Sequence, residues 1–227
     1  MSVHVIYYQD GAKHMRPISS AEEYHKLRAS AKQTETLKAA RTGDKQAKRS
    51  LLQFNYSCLP NDDGTLKGSV RMSSSVGMDI DQEVDVACIL NKKDELGLLM
   101  LERSVSKGYH LVFKRHTDMT QEQNLRWASD LLGIPFDEAA KDHTRVFFTT
   151  SDSPEDLLFL SEELFDNTET TPFCPTGIFP REGARGWRSM GILLFNFQLF
   201  HPPFAFRLPP YGGGRGERPL LYNFPLS

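Results

Sequence analysis

Two aspartates one residue apart, in the run Val76-Gly77-Met78-Asp79-Ile80-Asp81, are the residues of this chain best placed to do chemistry. In a strand, side chains alternate between faces, so Asp79 and Asp81 project together while Met78 and Ile80 enter the core. Paired carboxylates need a cation or water to offset their repulsion, and oxygen ligands of this kind suit Mg²⁺ or Mn²⁺. Two such ions about 3.5–4 Å apart bind both the attacking and the leaving oxygen in phosphoryl chemistry. A strand end standing in water has the same pattern, so the motif alone leaves both readings open. A second group lies in Ser104-Val105-Ser106-Lys107-Gly108-Tyr109-His110-Leu111-Val112-Phe113-Lys114. Alternation places His110, Val112 and Lys114 on one face, from which His110 and Lys114 could meet a phosphate; a hydrogen-bonded sheet histidine is the alternative. A third is the block Asp137 to Phe148, where one carboxylate could complete a metal site and Arg145 could pair with a triphosphate. A turn with structural ion pairs would look the same.

The elements that must carry these groups follow from periodicity and punctuation. Val3 to Tyr8 reads as a strand closed by Asp10-Gly11. Ser20 and Glu23 form a capping-box signal for a helix with Tyr24, Leu27 and Ala31 on one stripe. A very basic helix is predicted over Glu35 to Arg49, with Gly43 as its weak point. Strands are predicted at 76–81, 96–103, 108–115 and 144–150. The helix from Thr120 to Leu132 has a Thr120/Gln123 box and stops at Gly133. Ser153-Pro154-Glu155-Asp156 predicts a last helix, running to Phe165. Strands and helices mix without regular alternation, which predicts an α+β fold with helices on a mostly antiparallel sheet.

The order of the three groups narrows the reading. A strand with D-h-D, a small-x-His strand, and an Asp followed by Arg and apolar residues resembles the motif order of the archaeo-eukaryotic primase superfamily. The segments SSSVGMDID, SKGYHLVF, NLRWASDLLGIPFDEAAKDHTRVFF and SPEDLLFL are similar to the N-terminal domain of VirE-type primase-helicase proteins of mobile elements, over residues 3 to 166. The resemblance implies a two-layer core with an RRM-like sheet carrying the metal site. It implies metal-dependent nucleotidyl transfer on single-stranded DNA or RNA, with Asp79 and Asp81 as the first two ligands of Mg²⁺ or Mn²⁺. His110 then contacts the nucleotide, with Lys114 and Arg145 on the triphosphate. For the third carboxylate, Asp137 is favoured because it stands eight residues before Arg145, with Asp142 as the alternative. Nucleoside triphosphates and a helicase-like module or protein are the other implied partners. A non-catalytic nucleic-acid-binding module is the rival expectation.

Composition sets outer bounds. The 227 residues have a formal net charge of −2, and only the distribution suggests a polyanionic partner. From Lys13 to Arg49 there are ten Lys/Arg against four Asp/Glu, a local charge of +6. Lys38, Arg41, Lys45, Lys48 and Arg49 are the candidate contacts to template phosphates, although a solvated helical face has the same composition. Cys58, Cys88 and Cys174 lie far apart in no C-x-x-C spacing, which argues for a reducing compartment, cytoplasmic by default. No membrane partner is expected, since no run of 18 apolar residues occurs. The last 61 residues hold 9 of the 13 prolines and neither lysine nor aspartate, so 167–227 reads as an irregular Pro/Gly/Phe-rich tail. Its many phenylalanines are unusual for a disordered linker, and a frame-shifted or truncated reading of a longer gene is the expectation; a Pro/Phe-rich binding tail is the alternative.

Overall fold

The computed structural model describes residues 3–166, and the expectations for the tail lie outside that range. The chain begins with a hairpin of β1 (His4–Gln9) and β2 (Ala12–Pro17). Its two turn residues, Asp10 and Gly11, both have positive φ, 51° and 76°. That backbone matches the twist of the flanking strands and explains the Asp-Gly pair. The helix α1 (Ala21–Arg28) is capped by Ser20, whose side chain accepts from the Glu23 amide. The Glu23 carboxylate reaches back one residue further than a capping box requires, to the Ser19 amide at 3.1 Å. The single basic helix expected over 35–49 is two helices, α2 (Ala31–Arg41) and α3 (Lys45–Ser50). Gly43, at φ 98°, stands at the break, and Asp44 caps the second.

Next come β3 (Gln53–Asn55), β4 (Ser75–Ile80), the short helices α4 (Val86–Leu90) and α5 (Lys93–Leu96), then β5 (Leu98–Arg103) and β6 (Tyr109–Lys114). The helix α6 (Gln121–Leu132) has the full capping box at Thr120/Gln123 and ends at left-handed Gly133. A 3-10 turn at Glu138–Lys141 leads to β7 (Phe147–Phe148), shorter than the strand expected over 144–150. The expected helix from Ser153 to Phe165 is absent. Its place is taken by β8 (Leu157–Leu160) and a 3-10 turn at Glu162–Phe165. The physical reason is the open edge of β5. Leu157, Phe159 and Leu160 pair with Glu102, Leu101 and Met100, and the Arg103 amide donates to the Asp156 carbonyl. Tertiary pairing outweighs a local helix-start signal worth about 1 kcal/mol.

The fold is α+β, with two antiparallel four-stranded sheets, β2-β1-β3-β7 and β4-β6-β5-β8, where a single sheet was expected. The second sheet is covered on both sides. Val76, Met78, Ile80, Leu111 and Phe113 pack on Leu125, Ala128 and Leu132 of α6. Met100 and Val112 turn the other way, to Phe54, Tyr56 and Phe147 of the first sheet region and Tyr24 of α1. Every residue of β4 is therefore buried, which fixes its register, because a one-residue slip would exchange its two faces. Among the described residues no helix is long and apolar enough to cross a membrane.

Candidate active site

Strand register builds the site. Asp79 of β4 stands directly opposite His110 of β6, which stands directly opposite Glu102 of β5. Directly paired residues share a face, so three ionisable groups form a row across the sheet, under Phe147 of the other sheet. The His110 ring lies 5.2 Å from that of Phe147, edge to face. His110 Nδ1 is 2.8 Å from Glu102 Oε1, and Nε2 is 3.7 Å from Asp79 Oδ1. The row therefore turns the Nε2 edge of the imidazole toward Asp79.

Glu102 is fully buried and so is its counter-ion, Arg28. The Arg28 guanidinium, on the last turn of α1, donates to Glu102 Oε2 at 2.5 Å and to the Ser151 carbonyl at 2.8 Å. It also donates to the hydroxyl of Thr149. Thr149 Oγ1 in turn donates to Glu102 at 2.7 Å. Burial alone would raise the Glu102 pKa, but the adjacent Arg28 charge and the bonds from His110 and Thr149 outweigh it, bringing it down to about 2. An ionised Glu102 accepts from His110 Nδ1 and so fixes the ring's orientation and tautomer.

On the other side of the row, Asp79 Oδ2 accepts from Arg145 Nη2 at 2.7 Å, and Asp137 Oδ2 accepts from the same nitrogen at 2.7 Å. Asp137 is anchored there by its backbone amide, which donates to the Asp79 carbonyl at 2.8 Å, and it caps the 3-10 turn at the Ala139 amide. Arg145 is held by Asn55 of β3, whose side-chain amide donates to the carbonyls of His143 and Arg145. Arg145 Nε is buried with no hydrogen-bond partner. Asp79 and Arg145 open, with His110, onto a cleft of about 300 Å³ that Asp81, Lys48 and Ser106 also line. Lys48 Nζ bonds to the Ser106 hydroxyl at 3.1 Å. A second cleft, of about 630 Å³, lies on the other side of the 104–108 loop, with Arg41, Arg103 and Lys107 on its wall.

Asp79, Asp81, His110 and Arg145 thus share one cleft, and Asp137 reaches it through Arg145. Asp79 is buried, against the alternative of a strand end in water, while Asp81 is exposed. Asp142 turns away, accepting from the amide and hydroxyl of Thr144 as a local turn. Lys114 does not join His110. It lies four residues along β6, opposite Ser75, and its ammonium pairs with Glu163. Of the basic candidates, Lys48 alone lines the cleft with the aspartates; Arg41 pairs with Asp156 at 2.5 Å, and Lys38, Lys45 and Arg49 are exposed.

Glu102, Arg28 and Thr149 were not anticipated from the sequence. A signal for Glu102 was available, since a carboxylate ends the apolar run Leu98-Leu99-Met100-Leu101 beside the histidine strand. Arg28, four residues after Tyr24, continues the buried stripe of α1 that Ala31 was expected to continue. Among the described residues, no three His, Cys, Asp or Glu side chains are already gathered to hold a metal ion. The donor chemistry fits a hard divalent cation, because two carboxylate oxygens already converge on one positive charge. No family model, curated protein or solved structure matches the chain.

Proposed function

We propose that the chain catalyses metal-dependent nucleotidyl transfer of the primase-polymerase kind on single-stranded nucleic acid, as part of mobile-element replication. The observation that carries this reading is the convergence of Asp79 and Asp137 on one cationic position beside His110, in a cleft that Asp81 also lines. Asp79, Asp137 and Asp81 would hold Mg²⁺ or Mn²⁺, which when bound would lower the pKa of an attacking hydroxyl and offset the charge of a triphosphate. His110, fixed at Nδ1 by Glu102, presents Nε2 as a donor or acceptor toward a nucleotide in the cleft. Lys48 on the wall supplies positive charge for phosphate oxygens. Asp142 and Lys114 drop out of this arrangement. The exposed basic residues of α2 and α3 lie outside the aspartate cleft and suit a template strand better than a triphosphate. A helicase-like partner remains part of the proposal.

A second reading, a binding module without turnover, is favoured by one observation: Arg145 pairs with both Asp79 and Asp137 and offsets part of their charge. One assay separates the two. The full chain and an Asp79→Asn/Asp81→Asn variant are given labelled nucleotides, a single-stranded template and Mn²⁺, with circular dichroism as the folding control. Incorporation by the wild type that disappears in the variant is the expected result. No incorporation by either, with salt-sensitive binding of the strand by both, would replace the catalytic reading with the binding module.

A further inference from the structure

Arg145 bridges two carboxylates at the cleft and also has a buried donor without a partner. One of its terminal nitrogens serves two carboxylates from different elements, Asp79 on β4 and Asp137 before the 3-10 turn, each at 2.7 Å. Its Nε is buried and donates to nothing. The two oxygens it holds are the ones that the nucleotidyl-transfer reading gives to a divalent cation. Asp79 divides its oxygens, Oδ2 to Arg145 and Oδ1 toward His110. Oδ1 is 3.7 Å from His110 Nε2, beyond hydrogen-bond distance, so it is the Oδ2 atoms of Asp79 and Asp137 that an ion bridging the two carboxylates has to take from Arg145.

We infer that Arg145 is an internal placeholder cation, which occupies the metal position in the empty protein and is displaced when a divalent cation enters. This rests on the proposed metal site. A singly charged guanidinium keeps the Asp79 and Asp137 carboxylates from repelling each other and spares the buried Asp79 an unpaired charge. A divalent ion offers the same two oxygens twice the charge and approaches closer, at about 2.0–2.1 Å for Mg²⁺. Displacement does not strand the guanidinium, because Arg145 lines the cleft and its donors can turn to a triphosphate. Metal and triphosphate then enter as a linked pair: the ion releases the arginine, and the phosphate gives it a new partner. The ion-free site stays closed to adventitious monovalent cations, which bring no more charge than Arg145 does.

The test is Mn²⁺ binding to the full chain, read by calorimetry and by the electron paramagnetic resonance of free Mn²⁺. If Arg145 competes for the site, Arg145→Gln binds Mn²⁺ about tenfold tighter than wild type, or more. Arg145→Lys, which keeps the charge but not the planar fork, falls between, and Asp79→Asn abolishes binding. Asp79-dependent binding in the wild type with no gain in Arg145→Gln overturns the placeholder and leaves nucleotidyl transfer standing. Absence of Asp79-dependent binding in every variant overturns both. A fixed arginine that merely repels the ion would also tighten binding when removed, so the wild-type protein supplies a second readout. In its ¹⁵N spectrum, the arginine Nε–H resonance that Arg145→Lys lacks moves at saturating Mg²⁺ if the guanidinium is displaced. A resonance that stays put overturns the inference, and this measurement holds even if Arg145→Gln fails to fold.

Discussion

At the scale of single residues, the site depends on a charge pair that no solvent reaches. Arg28 and Glu102 are both completely buried. Removing one charge leaves the other unpaired in a low-dielectric interior, which costs about 3–5 kcal/mol, whereas replacing both with apolar residues costs far less. Glu102→Gln is therefore expected to lose stability on that scale in urea denaturation, and the Arg28→Met/Glu102→Leu double variant to recover much of it. A neutral Glu102→Gln would mean that the pair is not formed in solution. The same residue shapes the acid response. Its pKa is depressed from 4.5 to about 2, so its stabilisation is complete above about 4.5 and is lost as pH falls toward 2. His4 acts earlier. Burial lowers its pKa from 6.5 to about 4, so the unfolded chain takes up its proton first and stability declines as pH falls through that window. Stability measured against pH should show both limbs, with His4→Gln flattening the upper one and Glu102→Gln the lower.

At the scale of elements, the β5–β6 connection is the piece that sets the cleft. Gly108 has φ +83°, and a Cβ there would stand 1.8 Å from the carbonyl oxygen of Ile80, the last residue of β4. Gly108→Ala must push that strand end away, and Asp79 and Asp81 flank it. We expect a stability loss of at least about 2 kcal/mol and weaker Mn²⁺ binding than Asp81→Asn alone produces. Unchanged melting in Gly108→Ala would show that the loop relaxes freely. The elements were unevenly legible in the sequence. The Thr120/Gln123 box with Gly133, the Asp10-Gly11 turn and the opposed faces of β4 and β6 could be read locally, because each rests on neighbours in the chain. The strand β8 could not. Ser153-Pro154-Glu155-Asp156 has every local mark of a helix start, and only the unpaired edge of β5 redirects it. Asp137 was readable as a candidate from its spacing to Arg145, while their shared bond to Asp79 was not, since it depends on a turn 58 residues downstream packing beside β4.

At the scale of the whole molecule, two lysines of the described residues should behave differently toward a polyanion. Lys48 lies on the cleft wall, whereas Lys114 is tied to Glu163 at the far end of its strand. If single-stranded nucleic acid enters the cleft, Lys48→Ala should weaken binding and reduce the salt slope by about one, and Lys114→Ala should change neither. Equal losses in both variants would argue for diffuse attraction without a defined track.

The buried Arg28 also constrains how the chain reaches this state. Its partners are 74 residues away at Glu102 and 121 away at Thr149. No local segment can neutralise it, and closing such long loops is entropically expensive before any contact rewards it. Until residue 149 has been synthesised, α1 lacks part of the site into which it docks. On the ribosome, α1 must wait until residue 149 has emerged, and its docking is expected to be a late event that locks helix, strands and cleft together.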